Sequence, residues 1–442
     1  MLNLRYTVRL TLAFIKRFRG ILLLGVGIGA LIFALVTLIL PLFLSRGTQR
    51  IGITGRYKVT DLPASVVTDI SEGLTTTDAS GQVLPALATN WEVTNEGKTW
   101  TFHLSQDKYW QDGKKVTAEA VNYNFEGVTV EKPDETTIVF TLKDPFSPFG
   151  SVVSTPVFKK GLLGTGKWKV TNLSLVSGYV ERMTLKDKEG NKKIIKFYPT
   201  EDRTKLAFKL GEVDILKEII DPQPLSDWKT AQVDSTVNQN RFVALFFNTK
   251  DPSLNKDQKE LRQALSYGID KTQFEGDRAL GPISPNSWTY NSQIKAYDYD
   301  PTRAKELLAK LPDEARESIN IKISTTSVLL PIAEKIINDW EEIGIKSSVQ
   351  VVSTFPQEYQ TFLAIYDIPK DPDQYATWHS TQKSTNISKY ENPRIDKLLE
   401  DGRLELDTAK RKKIYLDFQR YLLEDIPAVF LYHPLSYTVT RK

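Results

Sequence analysis

Few residues in this chain are of types and spacings that do chemistry. The stretch Gly161-Leu162-Leu163-Gly164-Thr165-Gly166-Lys167-Trp168 has nearly the spacing of a phosphate-cradling loop. Such a loop must end in Ser or Thr, whose hydroxyl reaches magnesium, and here Trp168 stands in that place. The histidines are His103, His379 and His433. No HExxH or GxSxG occurs, no two histidines sit at metal-ligand spacing, and none lies beside a serine or carboxylate in a nucleophile pattern. Cysteine is absent, which excludes disulfides, thiolate metal sites, a cysteine nucleophile and a lipidated N-terminal cysteine. Carboxylates are plentiful, yet nothing singles out a hydrolytic pair. The reading is therefore of no catalytic residue, no metal site and no cofactor. What remains is aromatic side chains in turn-rich segments, from Gly281 to Trp288 and from Tyr366 to Asp373. Loops of this kind on rigid lobes supply the walls of binding clefts.

Those loops need elements to hold them. Thr99-Trp100-Thr101-Phe102-His103-Leu104 and Thr137 to Leu142 alternate as half-buried strands. Thr117 is placed to cap a short helix running through Phe125. Helices are expected from Asp202 to Leu210, ending at Gly211, from Gln258 to Gly268, and from the cap-and-proline pair Asp300-Pro301. Ile332, Ile336, Trp340 and Ile343 form one helical stripe, and Ile414, Phe418 and Leu422 form another. Phe242–Phe247, Asn320–Ile323 and Val349–Val352 read as strands. Mixed elements of this kind give an α/β architecture in more than one lobe.

The net charge of +4 is unevenly distributed. Residues 1–50 carry seven basic side chains and no acid, which leaves −3 for residues 51–442. The outer body therefore has no electrostatic footprint for nucleic acid. Ile21 to Leu44 is 24 residues without a charge. At ~1.5 Å per residue it spans about 36 Å, enough for a bilayer core of ~30 Å. Leu44 is followed by Ser45-Arg46-Gly47, a poor cleavage site, so the segment reads as an uncleaved signal anchor. Five basic residues precede it, which places the N-terminus inside and residues 45–442 outside. Gly25 and Gly29 make a GxxxG pair through which two such helices can approach.

A series of motifs resembles the family 5 extracellular solute-binding proteins, the peptide- and nickel-binding components of ABC importers. They are Ser71-Glu72-Gly73-Leu74, Val83 to Val93, Thr99 to Leu104, Trp110-Gln111-Asp112-Gly113 through Val121, Gly164-Thr165-Gly166-Lys167-Trp168, Leu210 to Asp214, Leu261 to Asp270, and Pro427 to Pro434. The resemblance covers roughly residues 58–437. It implies a two-lobed periplasmic-binding-protein-like fold (type II, large peptide-binding class) preceded by the transmembrane helix. The expected organisation is a cytoplasmic basic segment 1–20, an anchor 21–44, a tether 45–57, and a first lobe 58–250 with an inserted subdomain at about 76–154. The second lobe is 251–427, and 428–442 returns to the first.

The resemblance also implies the site. Asp61 and Leu62 approach the ligand from the first lobe, Phe355 lines the cleft, and Tyr366, Asp367 and Ile368 meet the ligand's N-terminal end. Trp288 joins them from its turn-rich loop. The family's amine-pairing aspartate aligns with Ile368, so either Asp367 or Asp371 replaces it or the ligand has no free amine. A buried ammonium without an acid would cost several kcal/mol. The function implied is capture of oligopeptides and delivery to an ABC permease, in the bacterial cytoplasmic membrane with the lobes outside or periplasmic. The alternatives are a non-peptide solute such as a nickel chelate, sugar or lipid-derived fragment, or a binding protein turned sensor or structural partner.

Overall fold

The computed structural model describes residues 47–442 together with residues 13, 16–21, 24, 25, 27–30 and 33, which are helical. Most of the expected anchor 21–44 lies outside the described residues. Among the described ones no helix is long and apolar enough to cross a membrane.

A 12-stranded mixed sheet organises the described residues. Its second-lobe half orders Lys346–Val351, Asn320–Thr325, Thr361–Asp367 and Arg241–Phe247; its first-lobe half orders Ile215–Ile219, Thr48–Thr54, Lys192–Tyr198, Tyr179–Lys186 and Lys169–Val176. Ala428–Arg441 lies between the halves and belongs to both. Its start pairs with the strand Arg241–Phe247, from Ala428 opposite Phe246 to Tyr432 opposite Val243. From Leu435 onward it pairs with Ala231–Val237 instead. Pro434, which has no N–H to give a ladder, sits where the partner changes.

This pairing corrects three expected boundaries. The chain first crosses between lobes at residues 238–240 rather than at 250, because Phe242–Phe247 is buried in the second lobe's core. It crosses back at 433–434 rather than at 428. The expected tether 45–57 contains a central strand, Thr48–Thr54, flanked by Lys192–Tyr198 and Ile215–Ile219. Gly52 lets this strand pack closely: a Cβ there would meet Leu216 at 3.0 Å.

The buried apolar side chains form separate cores. Residues from Phe242 to Tyr432 make that of the second lobe. Residues from Leu74 to Val157, with Trp100, Phe102 and Phe140, make that of the inserted subdomain. Two clusters around Ile51 and Phe208 cover the faces of the first lobe's sheet. The strands Thr99–Leu104 and Thr137–Leu142 form where alternation placed them. The helices Glu201–Lys209, Lys259–Tyr267 and Pro301–Leu308 match their expected spans to within a residue or so where both ends were read, with Thr200 and Asp300 capping the first and last. The helix expected from Thr117 through Phe125 does not form. Only a turn at Ala118–Ala120 does, and Thr117 makes no side-chain cap. The chain straightens at Val121, and Tyr123 stacks on Phe125 at 5.1 Å while its hydroxyl donates to the Val153 carbonyl at 2.7 Å. Burying those rings outweighs a short helix whose own hydrogen bonds are worth little.

The glycine loop that resembles a phosphate cradle is a seam between the subdomain and the first lobe. The amides of Gly166 and Trp168 donate to the carbonyls of Ile70 and Asp69, at 2.8 and 3.1 Å. Gly164 and Thr165 donate to the Gln111 side chain and the Ser71 hydroxyl. No amide of this set is left to hold an anion. Gln111 Nε2 lies within 3.0 Å of the carbonyls of Ile70, Gly166 and Trp168, which ties the Trp110-Gln111-Asp112-Gly113 motif to the loop. A Cβ at Gly164 would lie 2.1 Å from the Ile70 carbonyl oxygen. Gly164→Ala should therefore destabilise the protein by roughly 1–3 kcal/mol, the usual range for overpacking. Thermal unfolding checks this: a midpoint several degrees below wild type is expected, and an unchanged midpoint refutes the seam.

Candidate functional site

The two lobes touch across a cleft. The tip of the hairpin Thr75–Thr77/Val83–Pro85 reaches from the inserted subdomain to the second lobe, where the Trp288 amide donates to the Ser80 carbonyl at 3.2 Å. Gly81, with φ of +83°, fits against Lys370 so closely that a Cβ would lie 2.1 Å from its carbonyl oxygen. Elsewhere Ser147 donates to the carbonyls of Arg403 and Gly402. At the hairpin tip lies a cavity of about 170 Å³, walled by Asp78, Ser80, Asn240, Ser284, Ser287 and Lys370 among others. A larger cavity of about 550 Å³, walled by Arg56, Tyr179, Arg182, Lys196 and Glu212 among others, lies wholly on the first lobe. Hinge closure cannot enclose a ligand there, so the smaller cavity between the lobes is the candidate site.

Next to it in the chain, Arg241 follows Asn240 and pairs with Asp367 directly across the ladder. Tyr57 and Glu218 of the first lobe lie within electrostatic reach of Arg241, and Asp61 lies within reach of Tyr57. Glu218 sits at an irregularity in its strand with φ of +58°, a left-handed conformation unfavourable for a residue with a Cβ. Bulges of this kind re-aim a side chain, and strained positions concentrate at functional sites. The Ser65 hydroxyl donates to Glu218 at 3.3 Å. Burial, and then the Glu218 carboxylate, push the Tyr57 phenol up. Burial works against the Arg241 charge, but Asp367, with help from Glu218, outweighs it and holds the guanidinium above its usual range. Two carboxylates, Asp367 and Glu218, around one guanidinium leave an excess of negative charge, which suits a cationic group.

The expected site residues divide. Asp61 is exposed on the loop after Thr48–Thr54, and Asp367 is in the charged cluster. Trp288 touches the cleft hairpin through its backbone. Tyr366 backs the wall: it stacks on Phe242 at 5.5 Å, and its hydroxyl meets Thr377 at 2.6 Å. Phe355 is 48% exposed and packs on Tyr359 and Phe362. Leu62 and Ile368 are buried in the cores of the first and second lobes, so they support the walls rather than face them. Asp371 is not free to meet a ligand amine, because its half-buried carboxylate is held by the buried Arg411 in a two-pronged pair at 2.6 and 3.0 Å. Breaking such a pair costs roughly 3–5 kcal/mol. Tyr57, Glu218 and Arg241 were not marked by any motif. Their role comes from strands that meet only in the folded molecule.

The histidines also fall into structural places. His379 is buried, with Nδ1 at 2.8 Å from the Thr381 hydroxyl and Nε2 at 3.3 Å from Glu400. His433, at the strand crossing, is buried with Nδ1 at 2.7 Å from the Arg241 carbonyl. A carbonyl only accepts, so Nδ1 carries a proton. Burial pushes the His433 pKa below its usual value. The unfolded chain then binds a proton that the folded one refuses, so stability is full above about pH 6.5 and falls as pH drops through the window below it. Thermal midpoints between pH 7.5 and 5 should fall less steeply for His433→Gln than for wild type, whatever the variant's absolute stability; parallel curves would refute this.

Comparison with known proteins fits this architecture. The family model described as bacterial extracellular solute-binding proteins, family 5 middle, matches residues 82–387. The chain is 25% identical over 417 residues to the probable D,D-dipeptide-binding periplasmic protein of Escherichia coli, covering 80% of this chain and 79% of that one. Its fold superposes on NikZ from Campylobacter jejuni in complex with Ni(L-His), with a TM-score of 0.72 and 21% identity over 89% of this chain and 94% of the other. It also superposes on the oligopeptide-binding protein AppA from Bacillus subtilis in complex with a nonapeptide, with a TM-score of 0.69 and 20% identity over 90% and 94%. Two lobes joined through a shared strand, a cleft between them and a matching family model over more than half the chain together place this protein: it belongs to the bacterial extracellular solute-binding proteins of family 5.

Proposed function

We propose that this protein captures oligopeptides between its two lobes outside the cytoplasmic membrane and delivers them to an ABC-type permease, while residues 21–44 hold it in the bilayer. The observation that carries the reading is the interlobe cavity and the acidic cluster beside it. Glu218 and Asp367 outnumber Arg241, and Asp61 lies near Tyr57, which suits the ammonium of a peptide N-terminus. With Asp371 committed to Arg411, these carboxylates take over the amine-pairing role that the family's pattern assigns near Ile368. A volume of about 170 Å³ equals about five or six waters at ~30 Å³ each. With the lobes in contact it takes one end of a peptide, and a longer ligand requires them to part. One relative is named as a probable D,D-dipeptide-binding protein and one similar structure holds a nonapeptide, which is compatible with that. The anchor is supported by Ile21, Leu24 and Ile28, whose apolar side chains are 71%, 64% and 52% exposed and unburied by the body.

Thermal shift on the full chain in detergent tests the ligand class. A peptide pool at a hundred times Kd contributes about 2.7 kcal/mol, a rise of several degrees in midpoint. N-acetylated peptides should give a smaller rise, and Glu218→Gln should weaken free peptides by about tenfold, the worth of a charged hydrogen bond. No rise with any peptide, together with a rise on adding Ni(L-His), overturns the peptide reading in favour of a metal chelate.

A further inference from the structure

We propose that a row of lysines at one end of the first lobe's sheet seats the protein on anionic phospholipid headgroups. The row follows from strand register. Lys169 stands directly opposite Lys186, Lys186 directly opposite Lys192, and Lys192 directly opposite Thr48. Directly opposed residues share a face of the sheet, so the three ammonium groups lie side by side. All three side chains are exposed, and none has an ion pair among the described residues. Like charges opposed in this way are destabilising, and a protein normally interleaves them with acids. It does so one position away on the opposite face, where Lys193 turns inward to Asp69 at 2.6 Å.

The surroundings make the row more basic. The loop after Lys186 adds Lys188, and Lys167 is adjacent. The acids of this corner, Asp187 and Glu189, are both met by Lys167 at 3.7 Å. Five lysines against two carboxylates give this corner an excess of +3, on a body of residues 51–442 whose net charge is −3.

The position of the row selects the occupant. Thr48 opens the sheet strand only four residues after the apolar run ends at Leu44. Four steps of ~3.5 Å reach at most about 14 Å. The row extends from Thr48 across three interstrand spacings of ~4.8 Å, again about 14 Å. The first length is an upper bound, so the Thr48 end of the row can come within the ~8–10 Å Debye length over which basic residues are drawn to an anionic leaflet, and a sheet lying along the surface brings the other lysines to the same depth. The inference rests on reading residues 21–44 as a membrane anchor. It adds a second attachment, which would fix how the first lobe sits over the bilayer and so which way the cleft faces.

The test reconstitutes the full chain with vesicles of phosphatidylcholine alone and of phosphatidylcholine mixed with phosphatidylglycerol. Flotation reports attachment, and lysine acetylation read by mass spectrometry reports contact. On mixed vesicles, Lys169, Lys186 and Lys192 should label several-fold more slowly than on neutral ones. High salt should erase the difference, and the exposed Lys410 of the second lobe should label alike on both. Flotation with both vesicle types and equal labelling of the three lysines overturns the row and leaves the anchor standing. Flotation only with mixed vesicles, with the three lysines protected and released by salt, upholds the row and overturns the anchor. Flotation with neither overturns both.

Discussion

The structure depends on one strand that two lobes share. Ala428–Arg441 gives its first residues to the second lobe's ladder and its last to the first lobe's. The constraint is strict, because each lobe closes its sheet with hydrogen bonds from this segment, and unpaired backbone groups there would be costly. Pro434 sits where one set of bonds stops and the other begins. His433 beside it is tied to the carbonyl of Arg241, the residue that opens the other crossing segment's strand. The two crossings are thus joined to each other and to the charged cluster at the cleft. In the proposed function, a ligand that bridges the lobes would act on the residues of these crossings, which is how its contacts would become closure.

Much of this architecture was legible in the chain because its signals are local. Alternation marked Thr99–Leu104, Asp300-Pro301 marked a helix start, and the order of short motifs marked the family. The glycine loop illustrates the limit of local pattern. Its spacing imitates a phosphate cradle, yet its amides are spent on Ile70, Asp69, Ser71 and Gln111. The site was less legible, because its groups are assembled over long separations. Arg241 meets Asp367 across a ladder 126 residues later. Asp371 looked available until Arg411, 40 residues on, claimed it. Glu218 carries no motif at all; only the left-handed backbone in its strand betrays it. Leu62 and Ile368 were expected to face a ligand, but apolar burial took them into the cores behind the walls.

Charge divides the molecule in a similar way. The basic residues of the first fifty positions and the acidic balance of the body are visible by counting. What counting misses is that strand register gathers Lys169, Lys186 and Lys192 into a single row while acids gather at the cleft. The lysine row and the acidic cluster thereby give opposite ends of the sheet opposite charge.

The central claim is that ligand draws two hinged lobes together. Because the chain has no cysteine, Lys143→Cys and Lys410→Cys, exposed on the inserted subdomain and the second lobe, can be spin-labelled without background. The distance between them, measured by pulsed electron resonance, tests the claim directly. The account predicts a broad distribution without ligand that collapses to a single short distance at saturating peptide. A distribution that is unchanged by any bound peptide would contradict it.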